Sequence, residues 1–331
     1  MAESKKEELA GLLTVLPPVE FGCVYGSSLH PNKDDQSRMI DYILGVEDPI
    51  EWHSQNLEMN KKHYASWMVR FGGAKTITRV ADDIGVGVHF NPYVSWNNKT
   101  FKYGVVRTSD LVEDVTNWEN FYLSGRLQKP VNIVVDNLVT PVKQLNLCNL
   151  RAATSAALLL LPDTFHEEDL YAKICSLSYT GDLRMLFAED RHKVRKIVQG
   201  QFDLFNGIYK PVLEELAAKD LLSFSSSSAL NAKVSQDCGL PAVRCLVSRL
   251  PTTVKNRMGV MLGMPQTMDS GRLDVVIKSR AEAANCVEKI IRRKVRVSSL
   301  RQAVSGVLTV GAIRASRYAA NKMSKAWKSR V

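Results

Sequence analysis

The sequence predicts a mixed α/β (α+β) domain, then a mainly helical region, then a basic helix at the carboxy end. Three observations carry this. Short apolar segments with strand character are mixed with helical patterns up to about residue 140. From about residue 147 the patterns become helical. After residue 291 the chain has eleven Lys/Arg and no Asp/Glu.

In order, residues 1–16 read as a short helix stopped by Pro17-Pro18. Phe21 to Tyr25 is a strand running into Gly26-Ser27-Ser28, and a polar loop follows from His30 to Ser37. Met39 to Val46 is a second strand, closed by a turn signal at Asp48-Pro49. Residues 51–71 are aromatic, amphipathic and helical in pattern. Val86 to Phe90 alternates with period two and breaks at Asn91-Pro92. Val131 to Asp136 is a further strand. Thr164-Phe-His-Glu167 has capping-box form and predicts a helix through Ile174. Residues 191–218, 240–257 and 280–328 are helical in pattern, and the serine-rich run from Leu222 reads as a linker. The expected divisions are 1–145, 146–222, a linker or mobile loop at 223–240, and 241–331.

Bulk properties narrow the function classes. Without the last forty residues the chain holds 33 Lys/Arg against 34 Asp/Glu, so its formal charge of +10 is local to the tail. That disfavours a nucleic-acid surface spread over the fold and favours a tail that meets an anionic surface. The six cysteines form no CxxC pair and the six histidines no ligand spacing, which disfavours a zinc site. The longest apolar run, Ala156 to Leu161, is too short to span a bilayer. The first residues carry acids, unlike an Arg-rich, acid-poor transit peptide.

The sharpest local feature is a strand, then Gly26-Ser27-Ser28, then a strand with Asp41 near its start. Glycine lets a phosphate approach the backbone, where turn N–H groups and serine hydroxyls bind its oxygens. A carboxylate on the next strand holds Mg²⁺ between a triphosphate and its attacker. The arrangement resembles the nucleotidyltransferase superfamily pattern, in which a second acid follows two residues after the first. Here that position is Ile43. The replacement carboxylate is expected at Asp136, with Glu47 and Asp48 as alternatives.

Further segments sharpen the resemblance: Trp52-His-Ser54, His63-Tyr64, His89 to Tyr93, Lys102 to Val105, Phe121 to Pro130, and Leu170-Tyr171 through Ser178 to Met185. In this order they are similar to the mitochondrial translocator assembly and maintenance family, the mitochondrial phosphatidate cytidylyltransferases, and the chain looks like a plant member. The resemblance implies a nucleotidyltransferase domain, a winged-helix-like helical domain and a membrane-binding carboxy segment. It implies formation of CDP-diacylglycerol and pyrophosphate from CTP and phosphatidate with Mg²⁺, upstream of cardiolipin. The expected place is the matrix face of the mitochondrial inner membrane, held peripherally.

Both substrates are anionic, so cations beyond the metal are needed, and Lys102, Arg126 and Lys129 stand in or beside two of these segments. Trp52, His53, His63, Tyr64 and Trp67 either line a base or lipid pocket or pack a helix on the sheet. In the tail, Arg314, Arg317, Lys325 and Lys328 share one side of a helical projection, and Trp327 is an interfacial type of residue. This predicts contact with an anionic membrane surface. Two other functions are compatible with the residues: nucleotidyl transfer to RNA or protein, and a non-catalytic translocase assembly factor with a vestigial site. The near-neutral body argues against the first, and no nucleic-acid partner is expected. Ile43 keeps the second open.

Overall fold

The computed structural model describes residues 9–26, 39–182, 193–225, 232–264 and 276–310. Ser27, Ser28 and the tail residues Arg314, Arg317, Lys325, Trp327 and Lys328 lie outside them. The first sheet has five strands: β1 Phe21–Tyr25, β2 Ile40–Val46, β3 Val88–Trp96, β4 Lys99–Arg107 and β5 Asn132–Asp136. Their order is β3-β4-β2-β1-β5. β2 and β4 run parallel and the other pairs antiparallel. Between these strands come helices α1 Pro49–Asn60, α2 Ser66–Arg70, α3 Gly73–Arg79, α4 Thr108–Asn117 and α5 Ser124–Leu127.

Alternation sends successive side chains to opposite faces. One face carries Phe21, Cys23, Ile43 and Val106, covered by Leu111 and Val115 of α4 and by Tyr122, Leu123 and Leu127. The other carries Val24, Tyr42, Leu44, Phe101 and Tyr103, packed on Trp52 of α1. Asp41 and Lys102 alternate onto the first of these faces.

The helical region follows as α6 Val142–Leu160, β6 Thr164–His166, α7 Glu167–Leu177, α8 Lys193–Gly200, α9 Phe202–Ala217, β7 Leu222–Phe224, β8 Lys233–Gln236, α10 Leu240–Ser248, α11 Thr252–Met261 and α12 Arg280–Val310. The three short strands form a second sheet in the order β6-β8-β7. The largest core lies here, built around Tyr171, Phe205, Tyr209 and the α6 alanines.

α12 belongs to both halves. Ala283, Val287, Ile290 and Ile291 sit in the helical core. Further along, Arg301 donates to the carbonyls of Ile84 and Asp82, and Gln302 to that of Val88. Trp67 Nε1 donates to the Leu308 carbonyl.

Several elements depart from expectation. β3 does not stop at Asn91-Pro92: a bulge between Asn91 and Val94, with Tyr93 at φ 60°, takes Pro92 out of the regular ladder. β4 has no counterpart in the expected elements, and Asn97-Asn98, both at positive φ, turn β3 into it. The 51–71 segment divides at a 3-10 turn, Lys61–His63. Asp48 caps α1 by accepting from the Ile50 N–H at 2.8 Å, so the expected turn is a helix start. Thr164 lies in β6 rather than at a cap. The α7 cap is two residues later, where Asp169 accepts from the His166 N–H. The expected linker at 223–240 carries the end of β7 and all of β8.

Candidate active site

The site is assembled at the end of β1. Tyr25 stands opposite Asp41 on β2, and Asp41 is level with Lys102 on β4. Gly26 follows β1 at φ +89°, a conformation that favours glycine. A Cβ built there would lie 3.5 Å from Asp41 Oδ2, so the missing side chain keeps the approach to the carboxylate open. Lys102 Nζ lies 3.8 Å from Asp41 Oδ1 and 4.3 Å from the centre of the Phe90 ring. Both members of this pair are about one quarter exposed, so solvent and ligand can reach them.

Arg126 enters from α5. Its guanidinium stacks 3.7 Å from the Tyr122 ring centre and 5.5 Å from that of Tyr25. Burial, and then the Asp41 carboxylate, push the Tyr25 phenol well above its usual range, with Arg126 opposing. Tyr25 is therefore a neutral wall between Asp41 and Arg126.

What places Arg126 is a residue the sequence reading did not single out. The buried Asp114 carboxylate accepts the N–H groups of Asn120, Phe121, Tyr122, Leu123 and Ser124 at 2.7–3.0 Å. Charge-assisted bonds of this kind hold the 120–124 turn in a single geometry and deliver α5 to the sheet. Nothing in spacing alone marks that acid, because its partners are backbone groups of a turn with no sequence signature.

Lys129 lies at the junction with the helical region. Its ammonium donates to the Gly125 carbonyl and to Ser178 Oγ, and stands 5.3 Å from the Tyr179 ring centre. Lys193 Nζ, also missed from sequence, is 5.0 Å from the same ring. Burial foremost, with the neighbouring Arg126 and Lys193 charges adding to it, brings Lys129 down to about 8.

The proposed replacement acids are not brought to Asp41. Asp136 pairs with Phe21, at the other end of β1 from Tyr25. Four residues of strand separate the two levels, about 13 Å at ~3.3 Å per residue. There Asp136 accepts from the Val142 and Lys143 N–H groups and tethers the start of α6. Glu47 and Asp48 follow the far end of β2, and Asp48 is engaged as the α1 cap. Ile43 occupies the position of the pattern's second acid and is buried against Cys23 and Phe21. Among the described residues no group of three or more His, Cys, Asp or Glu forms a metal cluster.

The aromatic stretch is also removed from Asp41. Trp52, His53 and Tyr64 are buried, with His53 on the α1 side of the sheet. His53 Nδ1 and Tyr64 Oη are 2.8 Å apart, Asn56 donates to the hydroxyls of Tyr64 and Tyr103, and His63 Nδ1 lies 2.8 Å from Tyr103 Oη. These bonds form a polar network, buried except at His63, that packs α1 on the sheet, while Trp67 is exposed and donates to the Leu308 carbonyl.

The profile of the family described as "Phosphatidate cytidylyltransferase, mitochondrial" matches residues 9–325. The chain is similar to proteins of that name from Rattus norvegicus (32% identity, 93% of this chain and 90% of the relative) and Bos taurus (33%, with the same coverage). It is also similar to the one from Caenorhabditis elegans (32%, 98% of this chain and all of the relative).

Proposed function

The chain belongs to the mitochondrial phosphatidate cytidylyltransferase family, and from that premise we infer how its residues divide the work. It is an enzyme that makes CDP-diacylglycerol and pyrophosphate from CTP and phosphatidate, on the route to cardiolipin. The observation that carries the site assignment is the open Gly26 turn facing the Asp41–Lys102 pair across adjacent strands.

In our reading the CTP triphosphate lies along the Gly26 turn, with the Ser27 and Ser28 hydroxyls beside it. Lys102 balances charge near the α-phosphate, and Arg126 and Lys129 do so toward the junction. A phosphatidate oxygen attacks the α-phosphorus in line, the bond to the bridging oxygen breaks, and pyrophosphate leaves. The phosphomonoester is already largely ionised near neutral pH, so no side chain need remove a proton. Positioning and charge neutralisation supply the acceleration.

The donor set fits Mg²⁺ in its usual manner, with one or two carboxylates, water and substrate phosphates. Asp41 is the carboxylate among the nominated acids that reaches the site. When bound, the ion supplies charge neutralisation on the triphosphate.

We further read α6, β6, α7, α8–α9, β7 and β8, with the sheet order β6-β8-β7, as a winged-helix-like unit. We place the enzyme on the matrix face of the inner membrane, held from one side. Among the described residues no helix is long and apolar enough to cross a membrane. Val297, Leu300, Val304 and Val307 leave an exposed apolar stripe on α12, spaced by three and four residues, with Arg293, Arg296 and Arg301 on the same helix. Such a stripe leading into a basic tail suits an anionic bilayer surface.

Purified protein incubated with labelled CTP and either phosphatidate, RNA or no acceptor tests the function. Product is expected with phosphatidate alone, and labelled RNA or the absence of pyrophosphate release would overturn the reading. Vesicle sedimentation tests the surface contact. Removing residues 311–331 is expected to lower binding to anionic vesicles at low salt while leaving CTP binding unchanged.

A further inference from the structure

A groove of about 650 Å³ opens in the helical region, outside the sheet site. It lies between β6, α7, the first turn of α8 and Lys233 of β8. Leu161 and Phe165 are buried beneath it, and Val194 stands at its edge. Its rim carries Lys173, Arg195 and Lys233. Among the described residues these three have no carboxylate partner, and the acid on the rim, Asp169, is already engaged by His166. An apolar floor under uncompensated cations fits an anionic amphiphile, and the volume is that of a small-ligand site.

A row of cations leads from the edge of the groove toward the Arg126 side of the sheet site. Val194 follows Lys193, which shares the Tyr179 ring with Lys129, and Lys129 neighbours Arg126. α7 ends one residue before Ser178, the residue that accepts from Lys129.

We infer that this groove seats the acceptor lipid, taking the glycerophosphate end of phosphatidate and the first methylenes of its chains. The inference rests on the reading that this enzyme transfers cytidylyl to phosphatidate. Lys173 and Arg195 capture the lipid phosphate, which then passes along the Lys193–Lys129 row for transfer, and the distal acyl chains remain in the bilayer. The groove is separate from the triphosphate turn, and its own cations, Lys173, Arg195 and Lys233, are not those assigned to the nucleotide.

The test uses the full chain with a soluble short-chain phosphatidate, Mg²⁺ and CTP. In a Lys173→Glu/Arg195→Glu variant the KM for phosphatidate is expected to rise about ten-fold or more, as the loss of charged contacts to a phosphate implies. The KM for CTP should be unchanged. Lys210→Glu, at an exposed surface position on α9, should change neither. Competition separates lipid from phosphate: lysophosphatidate should inhibit against phosphatidate far better than inorganic phosphate does. Equal inhibition by the two would reduce the groove to a general anion seat and overturn the lipid assignment. An unchanged phosphatidate KM in an active double variant would overturn the groove itself. Absence of wild-type turnover would instead overturn the parent reading. Should the double reversal unfold the chain, Arg195→Gln, at an exposed residue, carries the same comparison.

Discussion

Asp41 and Lys102 occupy level positions on two parallel strands, with Nζ 3.8 Å from Oδ1. Parallel pairing fixes this juxtaposition: a shift of one residue would send one of the two side chains to the opposite face. The pair forms a carboxylate–ammonium couple beside an open glycine turn, which suits a triphosphate with its ion. Asp41→Asn is expected to lower kcat by about 10²–10³-fold or more, the scale for removing one preorganised electrostatic contact. The melting temperature should stay near the wild-type value. Near-normal turnover by Asp41→Asn would remove it from the reaction.

Gly26→Val tests the turn. The φ of +89° disfavours any L side chain, at a cost of about 1–2 kcal/mol, and the new group would stand between phosphate and Asp41. CTP binding, measured by calorimetry, should weaken far more than Gly26→Ala weakens it. Equal affinities in wild type and Gly26→Val would make Gly26 a turn residue only.

Asp136 offers the contrasting case. Its oxygens accept the Val142 and Lys143 N–H groups, at the far end of the sheet from Asp41. Asp136→Ala should cost about 1.5–3 kcal/mol of stability, the range for hydrogen bonds to a charged group. The turnover of the folded fraction should remain. A denaturant midpoint unchanged alongside a collapse of kcat would return Asp136 to the active site.

Acid should weaken the fold through the buried histidines. Burial foremost lowers His89 to about 4, while burial and then the neighbouring His89 depress His53. In the unfolded chain both protonate near 6.5. Between these values the unfolded state binds more protons, so stability is complete above about pH 6.5 and falls as the pH drops toward 4. His89 alone contributes a loss of about 3 kcal/mol across that window. Urea midpoints at a series of pH values should show the decline, and His89→Gln should flatten it. A flat wild-type profile from pH 7 to 4.5 would contradict the burial argument.

Which parts were legible in the sequence follows from where the information sits. β1, β2 and the Gly26–Asp41 relation were readable because apolar periodicity and a positive-φ glycine are local signals. β4 escaped although Phe101, Tyr103 and Val105 alternate on one face, because its other face carries Lys102 and a glycine, Gly104, whose missing side chain makes room for the Phe90 ring. Asp136 was misplaced because its strand was visible while its register was not, and antiparallel pairing carried it to the wrong end. Asp114 and Lys193 act only through tertiary placement, one by gathering backbone N–H groups and the other by meeting Lys129 across a shared ring.

α12 changes what counts as a separable part of this molecule. Over 31 residues, about 46 Å of helix, it gives apolar side chains to one half and hydrogen-bond donors to the other. Lys294 already reaches the Glu119 carbonyl, and Arg301 and Gln302 reach those of Ile84 and Val88. A fragment cut after residue 145 would leave those carbonyls to water and bare the edge that α12 covers. The sheet and the helical region are therefore tied through one helix, and loosening its last turns is felt at the β3 edge of the sheet.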